Sequence, residues 1–117
     1  MDRVSPLMDK SFAFAVNIVF FCFELQKQKE YVLSKQLLRS GTSIGANIEE
    51  ATQGQSRNDF ISKLSIALKE AYETRYWLRL LNATKLGDKK KIDQFIIDVN
   101  EIIRMLVASI KTAKSRN

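Results

Sequence analysis

The chain contains no histidine. That removes the commonest general base and the commonest zinc and iron ligand from any account of its chemistry. It has one cysteine, Cys22, so no internal disulfide can form, and a reducing, cytoplasmic setting is the simplest expectation. Proline occurs once, at Pro6, and glycine only at Gly41, Gly45, Gly54 and Gly87. So few breakers among many Leu, Ile, Ala, Lys and Glu favour a few long helices over many short strands. Long hydrophobic runs are also scarce. The most apolar stretch, Phe12 to Phe23, has 12 residues, whereas a membrane span takes about 18–20. The flank before it is weakly charged (Asp2, Arg3, Asp9, Lys10), and no small-residue cleavage site follows, so it does not read as a signal peptide. The expectation is a buried helix and no membrane partner.

What is present is globular. Of 117 residues, 45% are apolar and 27% charged, enough for one domain with its own core and no metal or disulfide staple. The net charge of +6 is unevenly placed. Residues 1–55 hold six basic and six acidic groups, and residues 56–117 hold thirteen and seven. A basic half is compatible with a polyanionic partner.

Apolar spacing predicts four helices, at about 10–28, 32–52, 58–83 and 88–114. In the first, Phe12, Val16, Val19 and Phe23 form one stripe, and Phe14, Ile18, Phe21 and Leu25 a second on nearly the opposite side. A helix apolar on both sides must be covered on both, so a second contact, with another subunit, is expected. The second helix carries Gly41 and Gly45 in its interior, at a cost of about 1 kcal/mol each relative to alanine. Either another backbone approaches closely there or the helix kinks at Gly41. Gly54 is suited to a left-handed cap at the end of this helix. Ser56 or Asn58 can cap the third, and Asp88 the fourth. The third helix has a main stripe (Phe60, Leu64, Ala67, Ala71, Leu78, Leu81) with Ile66 and Trp77 to one side. The fourth has one clean stripe, from Ile92 to Ile110. Short connections between long helices give an all-α, antiparallel, up-down-up-down bundle, with left-handed packing as the default.

Two blocks are distinctive: S-I-x-x-N-I-x-E (Ser43, Ile44, Asn47, Ile48, Glu50) and E-T-x-Y-W-L (Glu73, Thr74, Tyr76, Trp77, Leu78). With the opening KSFAFAVNIV they resemble the four-helix-bundle family of the 23S ribosomal RNA intervening-sequence protein, over nearly the whole chain. The resemblance implies a homopentameric ring. It also implies a relationship to the accessory variability determinant protein of diversity-generating retroelements, a basic pentamer associated with nucleic acid and reverse transcriptase. Some members are encoded within insertions in 23S rRNA genes, and none is known to be catalytic. One departure stands out. Relatives often place Lys or Arg late in the first helix, where this chain has Phe20, Phe21, Cys22 and Phe23.

The candidate nucleic-acid contacts are Lys85, Lys89, Lys90 and Lys91 around the third turn, Arg57 near the second, and Arg75 and Arg79 one turn apart beside Tyr72 and Tyr76. Such groups suit phosphates, and the tyrosines suit unpaired bases; the plainer reading is solvated surface. The candidate subunit interface is Phe14, Ile18, Phe21, Leu25, Ile66 and Trp77. Asn47, Glu50, Glu70 and Glu73 could form a carboxylate site, but the di-metal motif of helical bundles needs histidine. They fit better as hydrogen-bonding groups that fix register, with Arg39 or Arg75 as partners. Cys22 has no activating base, the serines have no histidine, and Gly41-x-x-x-Gly45 has no preceding strand. No cofactor is called for. The expected function is a non-enzymatic homo-oligomer, pentameric by the resemblance, acting as a scaffold or adaptor for RNA, DNA or a nucleoprotein. The alternative is a structural or protein–protein oligomer whose charge serves solubility.

Overall fold

The computed structural model describes residues 4–116. They form four helices: α1 (Ser5–Lys27), α2 (Val32–Thr52), α3 (Arg57–Ala83) and α4 (Lys89–Ser115). The bundle is a rod of 50 × 20 × 19 Å. Each helix packs on its sequence neighbours, most extensively α2 on α3, and the closing seam between α1 and α4 is the slightest. The turns at 28–31 and 84–88 therefore share one end, called the lysine pole below. The turn at 53–56, the start of α1 and the end of α4 share the other.

Helix ends follow local chemistry. α1 begins five residues earlier than its apolar spacing predicts, because Pro6 sits in the first turn, where a missing N–H costs nothing. The Ser56 hydroxyl accepts from the Asp59 N–H at 3.1 Å, and the Asp88 carboxylate from the Lys91 N–H at 3.2 Å. Gly54 is not left-handed, contrary to expectation. α2 ends at Thr52 and is capped by Gln53 with ordinary negative φ, and a Cβ on Gly54 would lie 3.1 Å from the Ala51 carbonyl oxygen. Close approach explains that glycine.

The left-handed caps fall on two lysines, Lys29 (φ 67°) and Lys85 (φ 59°). At the end of α1, the Lys29 N–H donates to Gln26 O and the Glu30 N–H to Leu25 O, both at 2.9 Å. At the end of α3, the Lys85 N–H donates to Asn82 O at 3.2 Å and the Leu86 N–H to Leu81 O at 3.0 Å. Both are complete Schellman motifs, whose left-handed position normally goes to glycine. A side chain there costs about 1–2 kcal/mol.

The core runs the length of the rod. α2 is continuous through Gly41 and Gly45, and both are buried against α1. A Cβ on Gly41 would stand 2.9 Å from Ile18 Cγ2, and one on Gly45 3.4 Å from Ser11 Oγ. Close packing, not a kink, accounts for Gly41, whereas at Gly45 a Cβ would make ordinary contact. Phe14 and Phe21 close on Phe95 of α4, with ring centroids at 5.7 and 5.3 Å. Between α2 and α3 the buried Thr74 hydroxyl donates to Ser40 Oγ at 2.9 Å.

This geometry corrects the expected subunit interface. Phe14, Ile18, Phe21 and Leu25 are buried in the core of the single chain. The opposite stripe faces outward at Phe12 (63% exposed), Val16 and Phe23 (50%), with Phe20 (63%) beside them and Val19 half-buried. Both stripes are equally apolar, so periodicity does not rank them. What turns α1 is size: Ser11 and Cys22 lie on the same face as Ile18, and that face alone fits against the glycines of α2. α1 also exceeds the 12-residue count. Its 23 residues are long and apolar enough to cross a membrane by length and composition alone, yet seven of them build this core.

The two glycines should respond differently to alanine. Gly45→Ala gains helix propensity at a site of ordinary contact and should be neutral to about 1 kcal/mol stabilising. Gly41→Ala drives a methyl into the stiff branched Ile18 and should lose up to about 2 kcal/mol net of the same gain. Denaturant midpoints of the two variants check the order.

Candidate functional site

The lysine pole is assembled from two turns that are far apart in sequence. Gly87 (φ 80°) lays the α3–α4 turn on the last turn of α1, its Cα so close that an added Cβ would lie 3.1 Å from Leu25 Cδ2 and from Phe21 Cζ. Lys91 Nζ then reaches Glu24 of α1 at 2.8 Å. Around this junction stand Lys85, Lys89, Lys90 and Lys91, as anticipated, and also Lys27 and Lys29, which the sequence alone does not single out. Only an antiparallel α1 and α4 carry them to the same end, and helix-end lysines give no local signal of their own.

The pole's lysines are not equivalent. Lys89 donates to Asp93 at 2.8 Å, and Lys91 bridges both Glu24 oxygens. The Glu24 hydrogen bond pushes the Lys91 ammonium above its ordinary pKa. The Lys89 and Asn82 hydrogen bonds hold the Asp93 carboxyl below the usual carboxylate range. Among the described residues, Lys27, Lys29, Lys85 and Lys90 form no ion pair. The two pairs are solvent-exposed and weak enough to yield to a stronger anion.

The structure does not bring the predicted arginines to this pole. Arg57 is exposed at the start of α3, at the opposite end, on the wall of a cleft of about 570 Å³ that it shares with Arg116, Phe60 and Thr112. Arg75 lies mid-helix, 5.1 Å over the Tyr72 ring, donating to Asn100 Oδ1 at 2.9 Å. Arg79 is exposed on the next turn, beside Tyr76. Seven predicted contacts thus occupy three separate places.

The polar groups on α2 and α3 form a seam. Arg39 donates to Glu70 Oε2 at 3.1 Å and to Glu73, which also accepts from Trp77 Nε1 at 3.0 Å. Lys63 reaches Glu50 at 2.9 Å. Among the described residues, Asn47 bonds only within its own helix, to Ser43 O. Arg39 is the register-fixing partner, and Arg75 is not. Trp77 is half-buried on this seam, while Ile66 is exposed. Across α1 and α4, Lys10 reaches Glu101 at 3.2 Å.

Fold and surface together define a four-helix bundle with a bare apolar flank and a basic pole. The chain belongs to the 23S rRNA-intervening sequence protein family, whose model matches residues 5–108. It is also similar to a solved crystal structure from Bacteroides thetaiotaomicron, a protein of unknown function from the S23 ribosomal protein family. Identity is 53% over 93% of this chain and 98% of that one, with a TM-score of 0.88. Among curated proteins, none matches the chain.

Burial pushes the Cys22 thiol up to about 12. A folded-state pKa raised above the unfolded value stabilises fully below the unfolded value and is lost as pH rises toward the folded one. Stability should therefore fall from about pH 9 upward, by at most about 1.4 kcal/mol per unit. Lys91 adds its own loss only above about 10.4. In Cys22→Ala the decline between those two points should vanish, which denaturant midpoints at several pH values would show.

Proposed function

We propose that this protein is a non-enzymatic, homo-oligomeric scaffold that holds nucleic acid or a nucleoprotein on its basic surface, in the cytoplasm. The observation that carries the reading is the outward face of α1. From Ser11 to Phe23 there is no charged residue, and of the exposed positions there, Phe12, Ala13, Val16, Asn17, Phe20 and Phe23, only Asn17 is polar. Charge depletion with aromatic enrichment is the signature of an interface centre. Three phenylalanines half to two-thirds exposed leave on the order of 300–400 Å² of ring surface in water per copy. That is roughly half of what one partner contributes to a standard interface, with Val16 and neighbouring helices to supply the rest. A ring of five copies is what the family resemblance adds.

The nucleic-acid half rests on the lysine pole and on the charge excess of residues 56–117. Contacts of this kind hold phosphates without reading bases. Pairing of Lys89 and Lys91 with Asp93 and Glu24 favours the other reading, an oligomer whose charge serves only solubility.

Two measurements separate these. Light scattering at micromolar concentration should report an oligomer. Phe12→Glu with Phe23→Glu should reduce it to monomers of unchanged helicity, because neither ring belongs to the core. A monomeric parent would remove the assembly. Titration with RNA and duplex DNA should give binding that weakens steeply between about 50 and 200 mM salt. No binding at the lower salt leaves the purely structural oligomer.

A further inference from the structure

We infer that Lys29 and Lys85 are the principal phosphate contacts of the lysine pole, kept as lysines at the expense of the helix ends they cap. The inference rests on the nucleic-acid reading above and names the residues and the ligand chemistry: the sugar–phosphate backbone of RNA or DNA.

Three observations converge on these two residues. Both occupy the left-handed position of a complete Schellman motif, at φ 67° and 59°, where glycine is the unstrained choice. Both are exposed, and among the described residues neither makes an ion pair, unlike Lys89 and Lys91. And the antiparallel fold sets both at one end of the rod, the α3–α4 turn lying on the last turn of α1. Two independent departures from the favoured residue, by the same substitution and at the same pole, need a common reason.

Helix electrostatics supplies only part of one. A cation is welcome at a helix C-terminus, but α1 already has Lys27 in its last turn, with ordinary backbone. α3 has none, so Lys85 serves its dipole as well. Neither dipole requires the charge to sit on the left-handed residue itself. A left-handed residue at the C-terminus of a helix lies beyond the last turn, and here both are exposed. That placement suits an ammonium meant for a partner, and residues held in sparsely populated backbone are drawn from such sites.

The test uses the full chain with Lys29→Gly, Lys85→Gly, the double variant, and Lys29→Arg with Lys85→Arg as the charge-keeping control. Readouts are the thermal midpoint, the oligomeric state, and affinity for a single-stranded oligouridylate of roughly 30 nucleotides at two salt concentrations. The double-glycine variant should melt higher, by about 3–5 °C for each site, with its assembly unchanged. It should bind at least ~10-fold more weakly, with a salt slope lower by about one for each phosphate no longer engaged. The arginine variant should bind like the parent. A double-glycine variant that binds as tightly as the parent, or that melts no higher, overturns the inference while the nucleic-acid reading stands. So does an arginine variant that loses as much affinity as the glycine one. A parent that does not bind at all overturns both.

Discussion

The structure turns on how closely α1 can approach α2. Ile18 rests against the bare Cα of Gly41, and Ser11 against Gly45. No other face of α1 sets a small residue opposite Gly45 together with a branched side chain opposite Gly41. This contact fixes the rotation of α1 about its own axis. Phe14 and Phe21 are thereby directed at Phe95, Leu25 at Gly87, and the stripe from Phe12 to Phe23 outward. Two glycines inside a helix sacrifice about 2 kcal/mol of propensity. What they obtain is a single answer to a problem the apolar pattern leaves open.

A second lock sets α2 against α3. Inside, the Thr74–Ser40 hydroxyl pair is satisfied without water, because Thr74 donates to Ser40 Oγ and Ser40 donates in turn to Leu37 O. Outside, Arg39 spans Glu70 and Glu73, and Trp77 is tied to the same carboxylate. A slide by one turn would break both sets at once, so register is specified more strongly here than by the leucines, which tolerate displacement. By contrast, the α1–α4 seam depends on exposed lysine–carboxylate bridges at Lys10 and Lys91 and on the Phe95 contacts between them. Exposed bridges hold weakly, which makes this seam the most yielding part of the bundle.

Much of this was legible in the sequence, for identifiable reasons. Helix number, the caps at Ser56 and Asp88, and the close approach at Gly41 and Gly45 are short-range matters that residue identity decides. The facing of α1 was not legible from its stripes, since Phe12–Phe23 and Phe14–Leu25 are alike in period and in apolarity. The deciding signal, Ser11 and Cys22 in register with Ile18, becomes visible only once the glycines are known to face α1. The left-handed caps misled in the same manner. Gly54 has the right residue type but the wrong backbone, and Lys29 and Lys85 the reverse, because tertiary packing of the turns overrides local preference. The lysine pole is a product of topology, and no window of the sequence contains it.

The outward stripe and the pole lie on the same helix, and that links the two halves of the proposed function. Phe23 is the last exposed ring of the stripe, and Lys27 and Lys29 follow within two turns. Copies that covered the stripe against one another would bring the ends of their α1 helices together and would set their lysine poles side by side. A single pole with four unpaired lysines is a weak ligand for phosphate. Several poles held in a fixed array would engage one strand at many points, each further contact costing far less than the first. Affinity would then depend on assembly. The absence of charge from Ser11 to Phe23 takes on a physical sense in this light. Charge is missing from the flank, where it would oppose association, and stands at the pole, where association would multiply it.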